Sequence, residues 1–202
     1  MKRWLSCIIA GILLCGSLAG CSGGDEEKNA SEESVKPLVI ASESYGSLYE
    51  SLPDSDVSYT DEEIDNITQG INSWAGSTLL VDSSLDEESR KLIDQGLYES
   101  IVSDEDLEKI KSDRETFYDG GAEVMISQAK TAVASATVTR YNNKDLGRVR
   151  CETRISGSCN GQSFTRSYQM VLVISYNEGV TSVYEIGKIE WKDLNDESSL
   201  TQ

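Results

Sequence analysis

The sequence predicts an α+β domain at residues 60–192: N-terminal helices packed on one face of an antiparallel sheet, in a single domain. Three observations predict it. Residues 60–121 carry apolar side chains at helical spacing behind Ser and Thr caps. Residues 122–192 are mainly strand-like, with apolar and polar positions alternating. Within that half, Asn160-Gly161 reverses the chain, because both positions tolerate positive φ and so suit a two-residue hairpin. Helices followed by strands imply helices gathered on one sheet face. About 130 residues are enough to bury one core.

The helical segments follow in order. Thr60 with Glu63 matches a capping box, and Ile64, Ile67, Ile71 and Trp74 then recur along one face, with Gly76 as the stop. Ser84 with Glu87 reads as a second capping box ahead of Leu92, Ile93, Leu97 and Ile101. Ser103 caps a third helix that carries Leu107, Ile110, Phe117 and Tyr118 and ends at Gly120-Gly121. These stripes read as core faces rather than as a cofactor lining.

The strand half opens ambiguously. The alanines after Val124 suit a helix as far as about Ala134, whereas Thr137-Val138-Thr139 suits a strand. Pairing about Asn160-Gly161 then sets Cys159 opposite Gln162, Ile155 opposite Arg166, Thr153 opposite Tyr168, Cys151 opposite Met170 and Val149 opposite Leu172. One face collects Val149, Cys151, Ile155, Phe164, Tyr168, Met170, Leu172 and Ile174. The other collects Arg148, Arg150, Glu152, Arg154, Thr165, Ser167 and Gln169. A slip of one residue would mix the two sets. Glu178-Gly179 marks a further turn, Val183 to Trp191 forms the last strand, and residues 193–202 are a polar tail.

Upstream of the domain, Lys2 and Arg3 precede an apolar run from Trp4 to Leu18, then Leu18-Ala19-Gly20-Cys21, then a polar stretch SGGDEEKNASEESVK at 22–36. The apolar run fits a signal core and is short for a membrane span. This order resembles a bacterial lipoprotein signal peptide (1–20) that ends in a lipobox. The resemblance implies a diacylglyceryl group on the Cys21 thiol, cleavage before it, and lipid anchoring on the extracytoplasmic face of the cell membrane. The alternative is an uncleaved anchor. Residues 21–59 are then a lipidated Cys followed by an acidic linker and arm. The first part is a flexible spacer. In the second, Leu38-Val39-Ile40 and the Tyr45/Leu48/Tyr49/Leu52 cluster suit an arm lying on the domain, with a partner-binding segment as the alternative.

Charge narrows the function. The chain has 18 basic and 35 acidic residues and no histidine. From Cys21 onward the formal charge is near −19, which argues against a nucleic-acid partner. Residues 21–127 hold 27 acidic and 7 basic groups; residues 128–192 hold 9 basic and 5 acidic. Arg148, Arg150 and Arg154, with Lys188, fall on the outer sheet face as a basic stripe. They are the candidate binding residues for an anionic partner: a wall polymer, a lipid headgroup or an acidic envelope protein. The plainer alternative is a solvated face partly neutralised by Glu152.

Chemistry is sparse. Without histidine there is no Ser-His-Asp triad, Cys-His pair or His-ligated zinc site. Asp54/Asp56 and Asp104/Asp106 lack the further ligands and glycine of a calcium loop. No nucleophile elbow or phosphate-cradling loop occurs. Glu152, Glu185 or Glu190 would serve as an acid or base only if burial raised its pKa. No catalytic, metal or cofactor-binding residue is assigned. Cys151 and Cys159 stand about 26 Å apart on a regular strand, too far for a disulfide. Either both thiols stay free or the strand is broken between them.

The element order and the closing strand Val183-Tyr184-Glu185-Ile186-Gly187-Lys188-Ile189-Glu190-Trp191 resemble the cone-shaped fold of the nuclear transport factor two-like superfamily, with Gly187 helping the strand to bend. The resemblance covers roughly residues 60–192 and implies helices over the concave face of the sheet. The expected function is a non-catalytic interaction or assembly module at the cell envelope, accessory to secretion or conjugation. The alternative is a small-molecule binder with a pocket between helices and sheet, lined by Tyr168, Met170 and Trp191.

Overall fold

A computed structural model describes residues 47–194. Cys21, the lipobox, the spacer at 22–36 and residues 195–202 lie outside the described residues. The elements are α1 (Leu48–Ser51), α2 (Asp61–Thr78), α3 (Glu87–Ser100), α4 (Asp104–Phe117), a 3-10 turn (Asp119–Gly121), β1 (Val124–Tyr141), β2 (Lys144–Cys159), β3 (Gln162–Asn177) and β4 (Val180–Asp193). The strands form one open antiparallel meander in the order β1-β2-β3-β4. The fold is α+β.

The helix starts follow from their caps. At α2 the Thr60 hydroxyl accepts from the Glu63 amide, and the Glu63 carboxylate accepts from the Thr60 amide at 2.8 Å. Ser103 caps α4 by accepting from the Asp106 amide. The expected Ser84 cap is corrected: Asp86 begins α3, accepting from both the amide and the hydroxyl of Ser89 at 2.8 and 2.7 Å. Its carboxylate also meets the positive end of the helix dipole, which a neutral serine does not exploit. Gly76 does not stop α2, which continues to Thr78. A Cβ on Gly76 would stand 3.2 Å from the Cβ of Ala129, so this glycine admits β1 close to the helix.

That close approach explains the second correction. The alanine-rich stretch is strand throughout, not helix to Ala134. Ala129, Ala132 and Ala136 pair with Ile155, Glu152 and Val149 on β2. Asn72 of α2 accepts from the Thr131 amide at 2.5 Å. Local helix preference yields here to ladder pairing and, at Ala129, to the small side chain that lets α2 approach.

The β2–β3 register runs unbroken from Leu146↔Ser175 to Cys159↔Gln162, with every pair expected from the Asn160-Gly161 turn in place. Asn160 and Gly161 have φ of 51° and 78°. Asn142-Asn143 and Glu178-Gly179 turn the other two hairpins with the same positive-φ geometry. The regular β2 keeps Cys151 and Cys159 apart, and both are free thiols.

One buried cluster joins Ile67, Ile71 and Ala75 of α2, Leu97 of α3, and Leu107 and Ile110 of α4 to Val149, Cys151, Ile155, Tyr168, Met170, Leu172, Ile174, Ile186 and Ile189 of the sheet. Two consecutive residues fasten α4 in place. Asp113 accepts from Arg166 of β3 at 2.7 Å, and Arg166 also donates to Asp193 of β4 at 2.5 Å. Arg114 ion-pairs with Asp94 of α3 and donates to the Leu79 carbonyl at 2.6 Å. Arg166 lies 4.4 Å over the Phe117 ring.

Candidate docking face

The sheet face away from that core carries Leu146, Arg148, Arg150, Glu152 and Arg154 of β2, with Ser167, Gln169, Val171 and Val173 of β3 beside them. Its two ends differ. Residues 47–58 lie across the Arg148 end as an arm, held at three points.

The first hold is a carboxylate. Glu185 of β4 accepts from the Leu48 amide at 3.0 Å, the Tyr49 amide at 2.8 Å and the Ser47 hydroxyl at 2.9 Å. The second is Arg148, which donates to the carbonyls of Tyr49 and Leu52 at 3.0 and 2.9 Å, ion-pairs with Asp54, and stands 5.4 Å over the Tyr49 ring. The third is apolar: Leu52 is buried against Leu146 and Val173. Tyr49 packs on Gly187, where any Cβ would lie 2.0 Å from the ring. The β4 register slips at the same residue, so Gly187 serves both a bulge and a close approach. The arm then crosses the β1 edge: the Val57 carbonyl accepts from Val138 at 2.8 Å, and the Tyr59 amide donates to the Ala136 carbonyl at 3.3 Å. This pairing blunts an otherwise open edge.

The expected basic stripe is therefore divided. Arg148 is spent on the arm. Arg154 donates to Glu152 at 2.8 Å, and Glu152 also accepts from the Ser167 hydroxyl. These two donors hold the Glu152 carboxyl below its ordinary pKa. Arg150 is exposed and has no ion pair or side-chain hydrogen bond among the described residues. The same holds for Lys130 of β1, which pairs in register with Arg154. Lys188 and Lys192 of β4 extend the patch, Lys188 being ion-paired with Glu190 at 2.7 Å. The uncovered end thus presents Lys130, Arg150, Arg154, Lys188 and Lys192 against Glu152 and Glu190. Residues 61–117, which hold α2–α4, carry 16 acidic and 5 basic residues.

Comparison with protein-family models, with curated proteins and with solved structures gave no match to this chain. The reading rests on geometry and sequence pattern.

The expected pocket residues do not share a cavity. Tyr168 and Met170 are closed inside the core, at 1 % and 2 % exposure. Only Trp191 reaches a groove, an open one of about 880 Å³ between α4 and β4, lined also by Glu105, Glu108, Thr116 and the edge of the buried Ile189. Burial pushes the Cys151 thiol up to about 12, which keeps it protonated and non-nucleophilic at neutral pH. Among the described residues no cluster of carboxylates and thiols is placed to hold a metal ion, and no helix is long and apolar enough to cross a membrane.

Sequence reasoning missed the arm's clamp. Glu185 entered as an acid or base and Gly187 as a bend. What signals their shared role is the four-residue rhythm of Tyr45, Leu48, Tyr49 and Leu52, a small apolar face that needs a seat.

Proposed function

We propose that this protein is a lipid-anchored, extracytoplasmic docking module of the bacterial envelope, non-catalytic and accessory to a larger assembly such as a secretion or conjugation machine. The bare end of the outer sheet face is its working surface. The observation that carries the reading is the opposition of charge across the fold: five cations against two carboxylates on that surface, and a strongly acidic helical segment packed behind the sheet. Two of the cations, Lys130 and Arg150, have no partner of their own among the described residues, and so are available to an anionic one. The lipobox resemblance supplies the location. The cone-like shape belongs to the same reading, and the register shifts in β1 and β4 support it, because bulges bend and twist strands.

The small-molecule alternative rests on the groove at Trp191. It is open rather than enclosed, and the two aromatic and thioether side chains expected beside Trp191 are locked in the core. A ligand that raised the melting temperature would favour that alternative.

Lysine footprinting tests the docking reading. In membranes from cells that make the protein, an acylating reagent should modify Lys130 less than after detergent release, while Lys91 on α3 is modified equally. Equal modification of Lys130 in both states contradicts occupancy of the face. Palmitate labelling that survives Cys21→Ala contradicts the anchor.

A further inference from the structure

We infer that the occupant of this face is the anionic headgroup surface of the membrane to which the chain is tethered; the inference rests on the lipid-anchored docking reading above. The first argument is where the described chain begins. Ser47 sits on the outer sheet face, bonded through its hydroxyl to Glu185 of β4. The segment from Cys21 therefore joins the fold on the basic side, not among the helices. Twenty-five residues lie between Cys21 and Ser47. Anchored at Cys21, the chain would thus enter the fold on the face that carries the cations, with the acidic helices on the other side of the sheet.

The second argument is charge, and it is independent of the first. Near an anionic surface the cations of the bare end are attracted, and the acidic residues of α2–α4 are repelled, within a Debye length of about 8 Å. Both forces turn the molecule the same way, and that way matches the attachment point. The arm's Asp54 is neutralised by Arg148, while Glu50 and Asp56 remain exposed. Contact is therefore centred on Lys130, Arg150 and Arg154, away from the arm. Between these cations lie Ala132, Ser135 and Gln169, and the half-buried Val171 beside Arg150 is the one larger apolar side chain among them. The face meets headgroups and stops there.

The experiment uses the full lipidated protein in vesicles. One set contains about 30 mol % phosphatidylglycerol and the other only phosphatidylcholine. Acylation of Lys130 and Lys188 should fall about threefold in the anionic set, recover in about 0.5 M NaCl, and leave Lys91 unchanged. Lys130→Glu with Arg150→Glu should restore the reactivity of Lys188, with the melting temperature of both proteins compared as a folding control. Equal reactivity of Lys130 in the two vesicle sets overturns the inference. If Lys130 is nonetheless protected in native membranes, the docking reading stands with a protein or wall polymer as occupant. Failure of the protein to float with either vesicle set counts against the anchor itself.

Discussion

The two ends of the outer sheet face are built from the same strands and end differently. At the Arg148 end, Leu146 and Val173 place apolar surface among charges, and residues 47–54 cover it with Leu52 and Tyr49. At the Arg150 end the strand neighbours are Ser135, Glu152 and Gln169 with a half-buried Val171, and no arm residue lies over them. Arginines two residues apart therefore have different work. Arg148 is a structural clasp, with its guanidinium shared among two carbonyls, a carboxylate and a ring. Arg150 is an open charge. An arginine's role here is set by what lies over it, and the comparison can be broken by mutation.

The largest effect is expected at the apolar seat of the arm. Leu52→Ala should cost about 3 kcal/mol in urea unfolding, because a buried side chain leaves both water-excluded surface and a cavity. A change below about 0.5 kcal/mol would mean that the arm is not seated.

The core face gives the next effect. The folded Cys151 thiol holds its proton up to about 12, against an ordinary 9.0. Above that ordinary value the unfolded chain binds fewer protons than the folded one, so stability is complete below it and declines as pH rises towards 12. Between about pH 8 and about pH 10.5 the loss from this group should be about 2 kcal/mol, and Cys151→Ala should remove that part of the slope. Tyr59, pushed up to about 12 chiefly by burial, adds to the decline above its ordinary 10.0.

Arg148→Ala should cost about 1.5 kcal/mol, the worth of hydrogen bonds from a charged donor, discounted for a partly exposed ion pair. It should also make the peptide bonds around Tyr49 and Leu52 cleavable under native conditions. Arg150→Ala, by contrast, should change stability by less than about 0.5 kcal/mol and leave the arm protected. Equal costs at the two arginines would erase the distinction between the ends.

Some of this was legible in the sequence. Asn160-Gly161 and the alternation on either side of it specify the β2–β3 register completely, because a hairpin turn of known length leaves no freedom. Thr60 and Ser103 cap where they stand, each accepting from the amide three residues on. Ser84 loses to Asp86, whose carboxylate accepts from both the amide and the hydroxyl of Ser89. The alanines of β1 mislead because ladder pairing with β2, and at Ala129 the close approach of Gly76 on α2, are long-range causes that local preference does not contain. The arm's seat is invisible for a similar reason: Glu185 and Gly187 stand more than a hundred residues from Tyr49. Tyr168, Met170 and Trp191 share a face by parity, yet parity does not say whether the space above a face is filled or open.

The most direct measurement is the acylation rate of Lys130 in native membranes, set against the rate after detergent release and normalised to Lys91. A rate about threefold lower in the membranes is the result expected of an occupied basic face. A ratio of one, with the protein still membrane-bound, would show that the face looks into solvent and that the charge opposition has another cause.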